Sequence, residues 1–420
     1  MIKKYRKIWK ITAAMLVTAL LFIGTACTES TENEVVATAE IVSGGDLLIS
    51  EAVLSGSEQE DGSYDFSHIF KYVKDYIQEA DYAVINLETS LGGEEVGYCG
   101  FPKFNTPENI IDDAQDAGFD MFLTASNHSY DLEYDGLMFK LNTLKEKDAD
   151  YIGMRTSTSE SFHKVVDVNG IKIGMLNYTQ KNRFATEEET ILNRTRDRKT
   201  NIYSNVCVDE KGEELIAMYL QSDLEDFYGE LKEDIDTLRN EGAEIIVAYP
   251  HWGREYNIGF NEIEDQIAQA MCDYGVDVII GGHPHVVEPT KVYTSDISGK
   301  TTICIHSTGN FVSDMGAWQA DVKKNAEYSE DGALFKFTAE KYADGTVKVT
   351  SAEVIPLWVK NYGDKKYTVI PLDKNVDWES AYGIENESDE ISSGSQSYER
   401  TMSLVSEELE KNNEMIKQEG

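Results

Sequence analysis

The sequence predicts an α/β fold. From about residue 35 the chain alternates between strand-like and helix-like segments. Several strand-like segments are short apolar runs that end in Gly or Pro, such as Ile245-Ile246-Val247-Ala248 and Val278-Ile279-Ile280. Such runs are typical of strands that are buried on both faces of a parallel sheet. With 420 residues, 41% hydrophobic and 27% charged, the chain can form one large globular domain with additions at its ends.

Residues 1–26 have the pattern of a signal peptide. The basic residues of this segment are Lys3, Lys4, Arg6, Lys7 and Lys10. Residues 11–23 are apolar but too short for a comfortable membrane span. Gly24-Thr25-Ala26-Cys27 resembles a bacterial lipobox, which predicts that Cys27 is lipidated and begins the mature chain. Gly24 departs from the usual aliphatic residue, so cleavage without lipidation and an uncleaved anchor are alternatives. Residues 27–40 are expected to be a tether.

The first half of the predicted domain, which spans residues 41–384, alternates regularly. We expect a strand at 35–43, a helix at 66–79, a strand at 82–85, a helix from Pro107 to Gly118, a strand at 119–125 and a helix at 135–147. Asn169-Gly170 then predicts a hairpin between strands at 162–168 and 171–177. Residues 180–209 are polar and are predicted to be an irregular surface excursion.

The second half continues the alternation up to an acidic tail. We expect a long helix ending near residue 240, the Ile245 strand, a helix at 261–274, the Val278 strand and strands at 302–306, 333–338 and 347–355. Residues 385–420 are predicted to be an acidic, partly disordered tail. Within it, Met402, Val405 and Leu409 share one helical face, which indicates a docking helix or a marginal one.

The formal net charge of −38 excludes some classes of partner. Removal of a signal peptide that carries only basic charges makes the mature chain still more acidic. Such a chain is a poor ligand for nucleic acids and for anionic lipid headgroups. An anionic polymer could bind only where cations offset the field of the protein.

Polar clusters follow the predicted strands at the point where each strand ends. These clusters contain Asp46, then Asn86 and Glu88, then Asn127 and His128, then His251, and finally His283 and His285. Ligands in open α/β sheets gather in the crevice beyond the carboxyl ends of the strands. Carboxylates, an amide oxygen and imidazoles together suit Mn, Fe, Zn or a similar divalent ion. A carboxylate shared by two ions would give a two-metal hydrolytic centre.

The motifs at these positions resemble those of the bacterial capsule-synthesis CapA family, whose members are similar to poly-γ-glutamate PgsA-like proteins. This family is a branch of the calcineurin-like metallophosphoesterase superfamily. The matching motifs are Gly45-Asp46, Asn86-Leu87-Glu88, Asn127-His128 with Asp131, His251-Trp252-Gly253 with Glu255-Tyr256, Gly282-His283-Pro284-His285-Val286, and Gly309-Asn310-Phe311. The resemblance implies a metallophosphoesterase-like two-sheet β-sandwich flanked by helices.

The resemblance also implies roles for individual residues. Asp46 and His285 would bind a first metal ion, Glu88 would bridge, and Asn127, His251 and His283 would bind a second ion. His128 would protonate the leaving group, and Asp131 would orient His128. Other predicted contacts to the ligands or the substrate are Asn86, Trp252, Glu255, Tyr256 and Asn310. Glu255 and Tyr256 could orient His251 instead, and Trp252 could serve packing alone.

Two departures from the superfamily pattern weaken the first metal site. Leu48 stands where ordinary phosphoesterases carry a histidine, two residues after the first Asp. Glu88 is also one methylene longer than the usual bridging Asp. The sequence is therefore consistent with a centre that holds one metal ion or two.

We expect from the resemblance an extracytoplasmic protein, lipid-anchored at Cys27, that acts in the synthesis, export or attachment of capsule or poly-γ-glutamate. Its partners would be the anionic polymer or its membrane synthase complex, with no nucleic acid. One alternative is a metal-dependent phosphoesterase or amide hydrolase unrelated to capsule. Another is a non-catalytic scaffold, stabilised by metal, for a membrane synthase complex.

Overall fold

The strands of the computed structural model form two large sheets and one small ribbon. The structure describes residues 34–182, 190–197, 202–319, 321, 323–384 and 390–419. The predicted signal peptide, Cys27 and the first half of the predicted tether, residues 27–33, lie outside these residues. Residues 35–40 correct the tether prediction, because they form the start of the first strand and pair with a strand near the other end of the chain.

The strands are numbered in chain order. They are β1 (Val35–Leu47), β2 (Tyr82–Asn86), β3 (Met121–Leu123), β4 (Asp150–Ile152), β5 (Lys164–Val168), β6 (Ile171–Lys181), β7 (Thr190–Asp197), β8 (Ile202–Val208), β9 (Met218–Leu220), β10 (Ile245–His251), β11 (Val278–Ile280), β12 (Val287–Thr294), β13 (Thr301–Thr308), β14 (Asn310–Val312), β15 (Asp331–Tyr342), β16 (Val347–Asn361) and β17 (Tyr367–Pro371).

The α-helices lie mostly between these strands. They are α1 (Glu51–Ser57), α2 (Lys74–Glu79), α3 (Asn109–Ala117), α4 (Glu133–Glu146), α5 (Glu210–Glu213), α6 (Leu224–Asn240), α7 (Glu262–Tyr274), α8 (Trp378–Tyr382) and α9 (Gly394–Glu419). Short 3₁₀ turns occur at Ser67–Phe70, Glu94–Val96, Ala317–Gln319 and Ala326–Glu330.

Each large sheet combines parallel and antiparallel strands. The first sheet has the order β17-β16-β15-β1-β2-β3-β4, with β14 beside the end of β1. Its strands β1 to β4 are parallel, while β15 to β17 are antiparallel. The second sheet has the order β12-β13-β11-β10-β6-β5, with β9 beside β6. In both sheets the parallel strands end at the same edge.

The two sheets pack face to face, and helices cover their outer faces. Ile41 and Phe335 of the first sheet belong to the same buried cluster as Val247 and Ile303 of the second. The outer face of the first sheet packs against α3 and α4, and that of the second packs against α6 and α7. Alternate residues of β10 face the inner and the outer cluster, which explains its uninterrupted apolar run. The predicted two-sheet sandwich flanked by helices is therefore confirmed.

Several element predictions need correction. Residues 190–197 and 202–208 are not irregular, because β7 and β8 pair as an antiparallel ribbon. The helix expected at 66–79 is a 3₁₀ turn followed by α2. The strands β12 and β17 and the short helix α1 were not predicted from the sequence. The Asn169-Gly170 hairpin is present, with positive φ angles of 54° and 88°.

The C-terminal segment docks onto the sandwich. Val405 and Leu409 of α9 are buried in the inner cluster, so the predicted face of this helix packs as a docking helix does. Arg400 donates two hydrogen bonds of 2.6 Å to the buried Asp331 at the start of β15. In the described part of the tail, residues from 394 onward are helical rather than disordered.

None of the helices that the structure describes has both the length and the apolar character needed to cross a membrane.

Candidate metal centre

The first sheet places two carboxylates at the edge where its parallel strands end. The backbone of β1 bulges between Ser43 and Asp46, and the Asp46 amide donates to the Gly309 carbonyl oxygen at 3.0 Å. A Cβ atom on Gly45 would lie 2.0 Å from that oxygen, so only glycine allows this approach. Asp46 and Glu88, which follows β2, are both fully buried.

The second sheet supplies three imidazoles at the same edge. His251 ends β10, and His283 and His285 follow β11. The φ angles of His283 and His285 are 97° and 57°. A positive φ angle typically costs a non-glycine residue about 1–3 kcal/mol. This backbone turns the His283 amide toward Asp46, to which it donates at 3.2 Å. The three histidines are buried, and the rings of His251 and His283 lie 4.8 Å apart.

These side chains form two groups that each could hold a metal ion. One group contains Glu88, His251 and His283, and the other contains Asp46, Glu88 and His285. Within each group, one ligand atom per residue lies within 4.8 Å of the others. Because Glu88 belongs to both groups, it stands in the position of a bridging carboxylate.

Three asparagines surround these groups. Asn127 presents its Oδ1 atom 2.9 Å from His251 Nε2. The Nδ2 atom of Asn86 donates to Asp46 at 2.7 Å and lies 3.2 Å from His251 Nδ1. Asn310 places its Oδ1 atom 3.1 Å from His285 Nδ1, the ring nitrogen that also lies 3.4 Å from Asp46 Oδ2. Asn86 and Asn310 thus fix the Asp46 carboxylate and the imidazoles, and Asn127 would offer an oxygen to an ion bound beside His251.

Burial and mutual charge shift the pKa values of the centre in opposite directions. Burial and the charge of Asp46 raise the pKa of Glu88 well above its usual value. Burial lowers the pKa of His251 and that of His283 to about 3, so both rings are neutral. Burial also opposes protonation of His285, but the charges of Glu88 and Asp46 outweigh it and raise the pKa to about 9.

The residues present fit a divalent transition metal. Carboxylate oxygens, imidazole nitrogens and an amide oxygen are the ligands such ions take. In the described part of the chain, neither carboxylate oxygen of Glu88 has a hydrogen-bond partner, and the Nδ1 atom of His283 has none either. Buried polar atoms are rarely left so, and a cation would satisfy them. A Cβ atom on Gly282 would lie 2.8 Å from Asp46 Oδ1, so glycine keeps this space open.

His128 and Asp131 lie beside the two ligand groups. His128 Nδ1 is 2.7 Å from Asp131 Oδ2, which also accepts the Phe104 amide at 3.1 Å. The Phe104 ring packs edge-on against the imidazole at 4.6 Å between centroids. Burial lowers the pKa of His128, but the charge and hydrogen bond of Asp131 outweigh it and raise the pKa above its usual value. This pairing leaves Nε2 as the nitrogen that can exchange a proton with a substrate.

Three predicted contact residues lie further from the ligands. Trp252 is completely buried and donates to the His306 carbonyl oxygen at 2.8 Å, so it serves packing and not substrate contact. Glu255 is exposed at the edge of the centre, where its charge acts on His251, His283 and His285. The Tyr256 ring lies 6.4 Å from that of His285, and its hydroxyl contacts Lys323 and Met315.

Leu48 makes no contribution to the ligand groups. Its side chain is buried and apolar, and its amide donates to the Val312 carbonyl oxygen at 3.1 Å. The group of Asp46, Glu88 and His285 therefore has no further histidine from this position.

Three residues that the sequence analysis did not select also shape the site. Asn193 of β7 places its Nδ2 atom 3.3 and 3.5 Å from the two ring nitrogens of His128. Asn177 accepts the amides of Thr124 and Ala125 at 3.1 and 2.9 Å and so holds the loop that leads to Asn127. The buried Lys140 donates to the Leu87 carbonyl oxygen at 2.8 Å, next to Glu88. Of these three residues, only Lys140 could have been selected from the sequence, because it occupies a position on the apolar face of a predicted helix.

The chain is similar in sequence to proteins of capsule synthesis. Residues 40–315 match a family model described as bacterial capsule synthesis protein PGA_cap. The chain is 27% identical over 347 residues to the PGA biosynthesis protein CapA of Bacillus subtilis (strain 168), covering 80% of this chain and 78% of that protein. It is 27% identical over 325 residues to the capsule biosynthesis protein CapA of Bacillus anthracis, covering 74% and 66%. The family match extends over every residue of the two ligand groups.

A solved structure, the calcineurin-like phosphoesterase YfkN from Bacillus subtilis, aligns with 91% of this chain and 99% of that chain. The TM-score is 0.40 and the sequence identity is 15%.

Proposed function

The chain belongs to the bacterial capsule synthesis protein family, and we propose that it acts in the synthesis, export or attachment of a capsule or polyglutamate-type polymer. The names of the two Bacillus relatives, a PGA and a capsule biosynthesis protein, support this role. We further propose that it works at the outer face of the cell membrane, anchored through a lipid at Cys27, beside the anionic polymer or its synthase complex. The resemblance found in the sequence is confirmed by the family match.

The proposed activity is metal-dependent hydrolysis. The observation that carries it is the buried Glu88, which belongs to both ligand groups and has no hydrogen bond to either oxygen in the described part of the chain. Asp46 and His285 would complete one ion's ligands, and His251, His283 and Asn127 the other's. Divalent ions at such a centre supply a Lewis acid and lower the pKa of water to about 7.

We assign proton transfer to the leaving group to His128 and Asp131. Asp131 fixes the imidazole through Nδ1, at 2.7 Å, and its charge favours the protonated ring. His128 would then donate a proton from Nε2 to the leaving group as the scissile bond breaks. The Phe104 ring packs against the imidazole at 4.6 Å between centroids, so the orientation of the imidazole does not depend on the substrate.

Removal of the His128 imidazole tests catalysis directly. We expect His128→Ala to retain metal, because the ligand groups are other residues, and to lose about 10²–10⁴-fold in hydrolysis or polymer production. We expect His283→Ala to lose metal and function together, because one ion then lacks an imidazole ligand. The measurements are metal content of protein prepared without chelator and polymer yield in cells.

His163→Ala is the matched control, because His163 is a buried histidine paired with Asp234 at 3.0 Å, away from the centre. Loss of metal in His128→Ala would contradict the assigned role and make His128 a ligand. Full function with full metal in His128→Ala would exclude catalysis by this site.

That last outcome would favour a scaffold role, in which metal stabilises a surface for membrane synthase partners. Leu48 is the observation that speaks for it, since an apolar side chain occupies the position of a phosphoesterase ligand. A function lost only in the metal-binding variants would then identify the scaffold.

A further inference from the structure

A second cavity lies on the protein surface beside α2 and α8. Its volume is about 360 Å³, and it is lined by Lys71, Tyr72, Asp75, Tyr76, Glu79 and Tyr382. This volume is in the range of small-molecule sites, which begins at about 300 Å³. None of these residues belongs to the metal centre, and Tyr382 lies beyond the part of the chain that matches the family model.

Tyrosine rings form the walls of this cavity. The Tyr72 ring lies 5.1 Å from that of Tyr382 at 59° and 6.2 Å from that of Tyr362 at 48°, measured between centroids. Because the rings are tilted and not stacked, their faces point in different directions. Tyr362 donates to the Tyr382 carbonyl oxygen at 2.7 Å, which fixes the two residues relative to each other.

The wall formed by Tyr382 is held in place by packing. Tyr382 is almost completely buried and belongs to a small apolar cluster with Trp358, Ile370 and Trp378, against which Tyr72 packs. A site whose walls are held by such packing is formed before a ligand arrives, which lowers the entropy cost of binding.

The charge of the lining favours a cation. Asp75 and Glu79, one helical turn apart, contribute two carboxylates against the single ammonium of Lys71. Asp373 adds a third carboxylate near the wall, since it accepts from the Tyr76 hydroxyl at 3.5 Å. An anionic ligand is disfavoured by this set.

One ammonium group already uses a ring of this cavity. Lys71 Nζ lies 4.4 Å from the centroid of the Tyr72 ring and donates to the Tyr72 hydroxyl at 2.9 Å. The ring therefore has the electrostatic surroundings in which a cation binds to the π system. Lys71 is exposed, so it can move away when another cation competes for the ring.

We propose that this cavity binds a quaternary or methylated ammonium group. Tilted aromatic walls with carboxylates nearby recognise such groups through cation–π attraction. A quaternary ammonium has no N–H donors to satisfy, so it loses little when aromatic rings replace its water. The site is independent of the metal centre and of the hydrolytic function.

The test uses the full chain and two probes of the same shape. Choline carries the positive charge, and 3,3-dimethylbutan-1-ol is its neutral isostere. Isothermal titration calorimetry should show choline binding at least about tenfold more tightly than the isostere, because only choline gains the cation–π attraction. Equal affinity for the two probes, or no binding of choline, would overturn the proposal. Binding of a neutral sugar instead of choline would do the same.

Three variants separate the proposed contacts. Tyr72→Leu should weaken choline binding about tenfold, and Asp75→Asn should weaken it less. Lys71→Gln should strengthen it, because the competing ammonium is gone. Tyr274→Leu is the control, a partly exposed tyrosine on α7 whose loss should leave affinity unchanged. If Tyr72→Leu does not fold, Lys71→Gln decides, since unchanged or weaker binding in that variant contradicts the cage.

Discussion

The side chain of His306 shows how burial fixes the charge of one residue outside the metal centre. Its Nδ1 atom lies 2.9 Å from the Pro289 carbonyl oxygen and donates to it, and its Nε2 atom lies 2.9 Å from the hydroxyl of Tyr293, whose own proton is donated to Asp265 at 2.7 Å. The Phe260 ring stacks on it at 3.7 Å between centroids. Burial lowers the pKa of His306 to about 4, despite the opposing effect of the hydrogen bond to Pro289.

This histidine should make folding stability depend on pH. Between pH 4 and 6.5 the unfolded chain binds a proton that the folded protein does not, so stability falls as the pH falls through this range. The contribution is about 2 kcal/mol between pH 7 and pH 5, at about 1.4 kcal/mol per pKa unit. Urea unfolding of metal-free wild type and His306→Gln at both pH values measures it. The variant should lose about 2 kcal/mol less on acidification, and parallel losses would refute the assignment.

The site could be predicted from sequence where the residue lies at a strand end. Asp46, Glu88 and His283 each follow an apolar run, so the sheet alone brings them together. Asn193 could not be found in this way, because its contact with His128 depends on a ribbon that folds back over 65 residues of chain. Trp252 was selected for its place in a motif, with packing as the alternative, and its ring lies inside the core.

At the scale of elements, α9 is held by a buried ion pair as well as by its apolar face. Arg400 and Asp331 form two hydrogen bonds of 2.6 Å, and both side chains are almost fully buried. Asp331 begins β15, and its neighbour Glu330 accepts from Ser392 and from the Ala317 amide. The pair therefore joins the C-terminal helix to the segment that leads away from Asn310.

Replacement of Arg400 should destabilise the protein strongly. Burial raises the pKa of Asp331 to about 7 even beside Arg400, so in Arg400→Met the unpaired carboxyl must take up a proton on folding. Breaking such a buried pair typically costs about 3–5 kcal/mol. Urea unfolding at pH 7 measures the loss. Lys411→Met is the control, because Lys411 pairs with Glu408 on the surface and should cost under about 1 kcal/mol. A loss of similar size in both variants would show that α9 docks through its apolar face alone.

Elements were predictable where their own pattern decides them. The helix at α3 begins and ends near Pro107 and Gly118, and the Gly118 φ angle of 122° explains the glycine. The β7–β8 ribbon was missed because polar residues dominate it, and its pairing is set by the partner strand. The 3₁₀ turn before α2 likewise follows from packing, since Ile69 and Phe70 are buried in the outer cluster.

At the scale of the whole molecule, the sequence predicted the strands at the centre of each sheet better than the strands that extend the first sheet at its edge. Apolar runs without alternation predicted strands buried on both faces, and the sandwich has such strands at its centre. The antiparallel strands β15 to β17, which extend the first sheet on the far side of β1, could be predicted only in part. Of these, β15 pairs with β1 near the start of the chain, and such distant pairing leaves no mark on the local sequence pattern.

Location also belongs to this scale, and we propose it from the signal-peptide pattern and Cys27 that precede the domain. If Cys27 carries a lipid, Cys27→Ala should be released to the medium or stay as an unprocessed precursor. Fractionation and immunoblotting of cells that express each form measure both outcomes. Membrane retention at unchanged size in Cys27→Ala would argue against lipidation.

The two sheets contribute different kinds of ligand: the first supplies carboxylate and amide oxygens, and the second supplies the imidazoles. A bound ion would thus tie together parts of the chain that are far apart in sequence, such as Asp46 and His283, which are 237 residues apart. Binding to the folded state alone adds about 2.7 kcal/mol of stability when the free ion is at 100 times its dissociation constant. Scarcity of the ion would therefore expose the chain to proteolysis, and the supply of metal would set the lifetime of the protein as well as its activity.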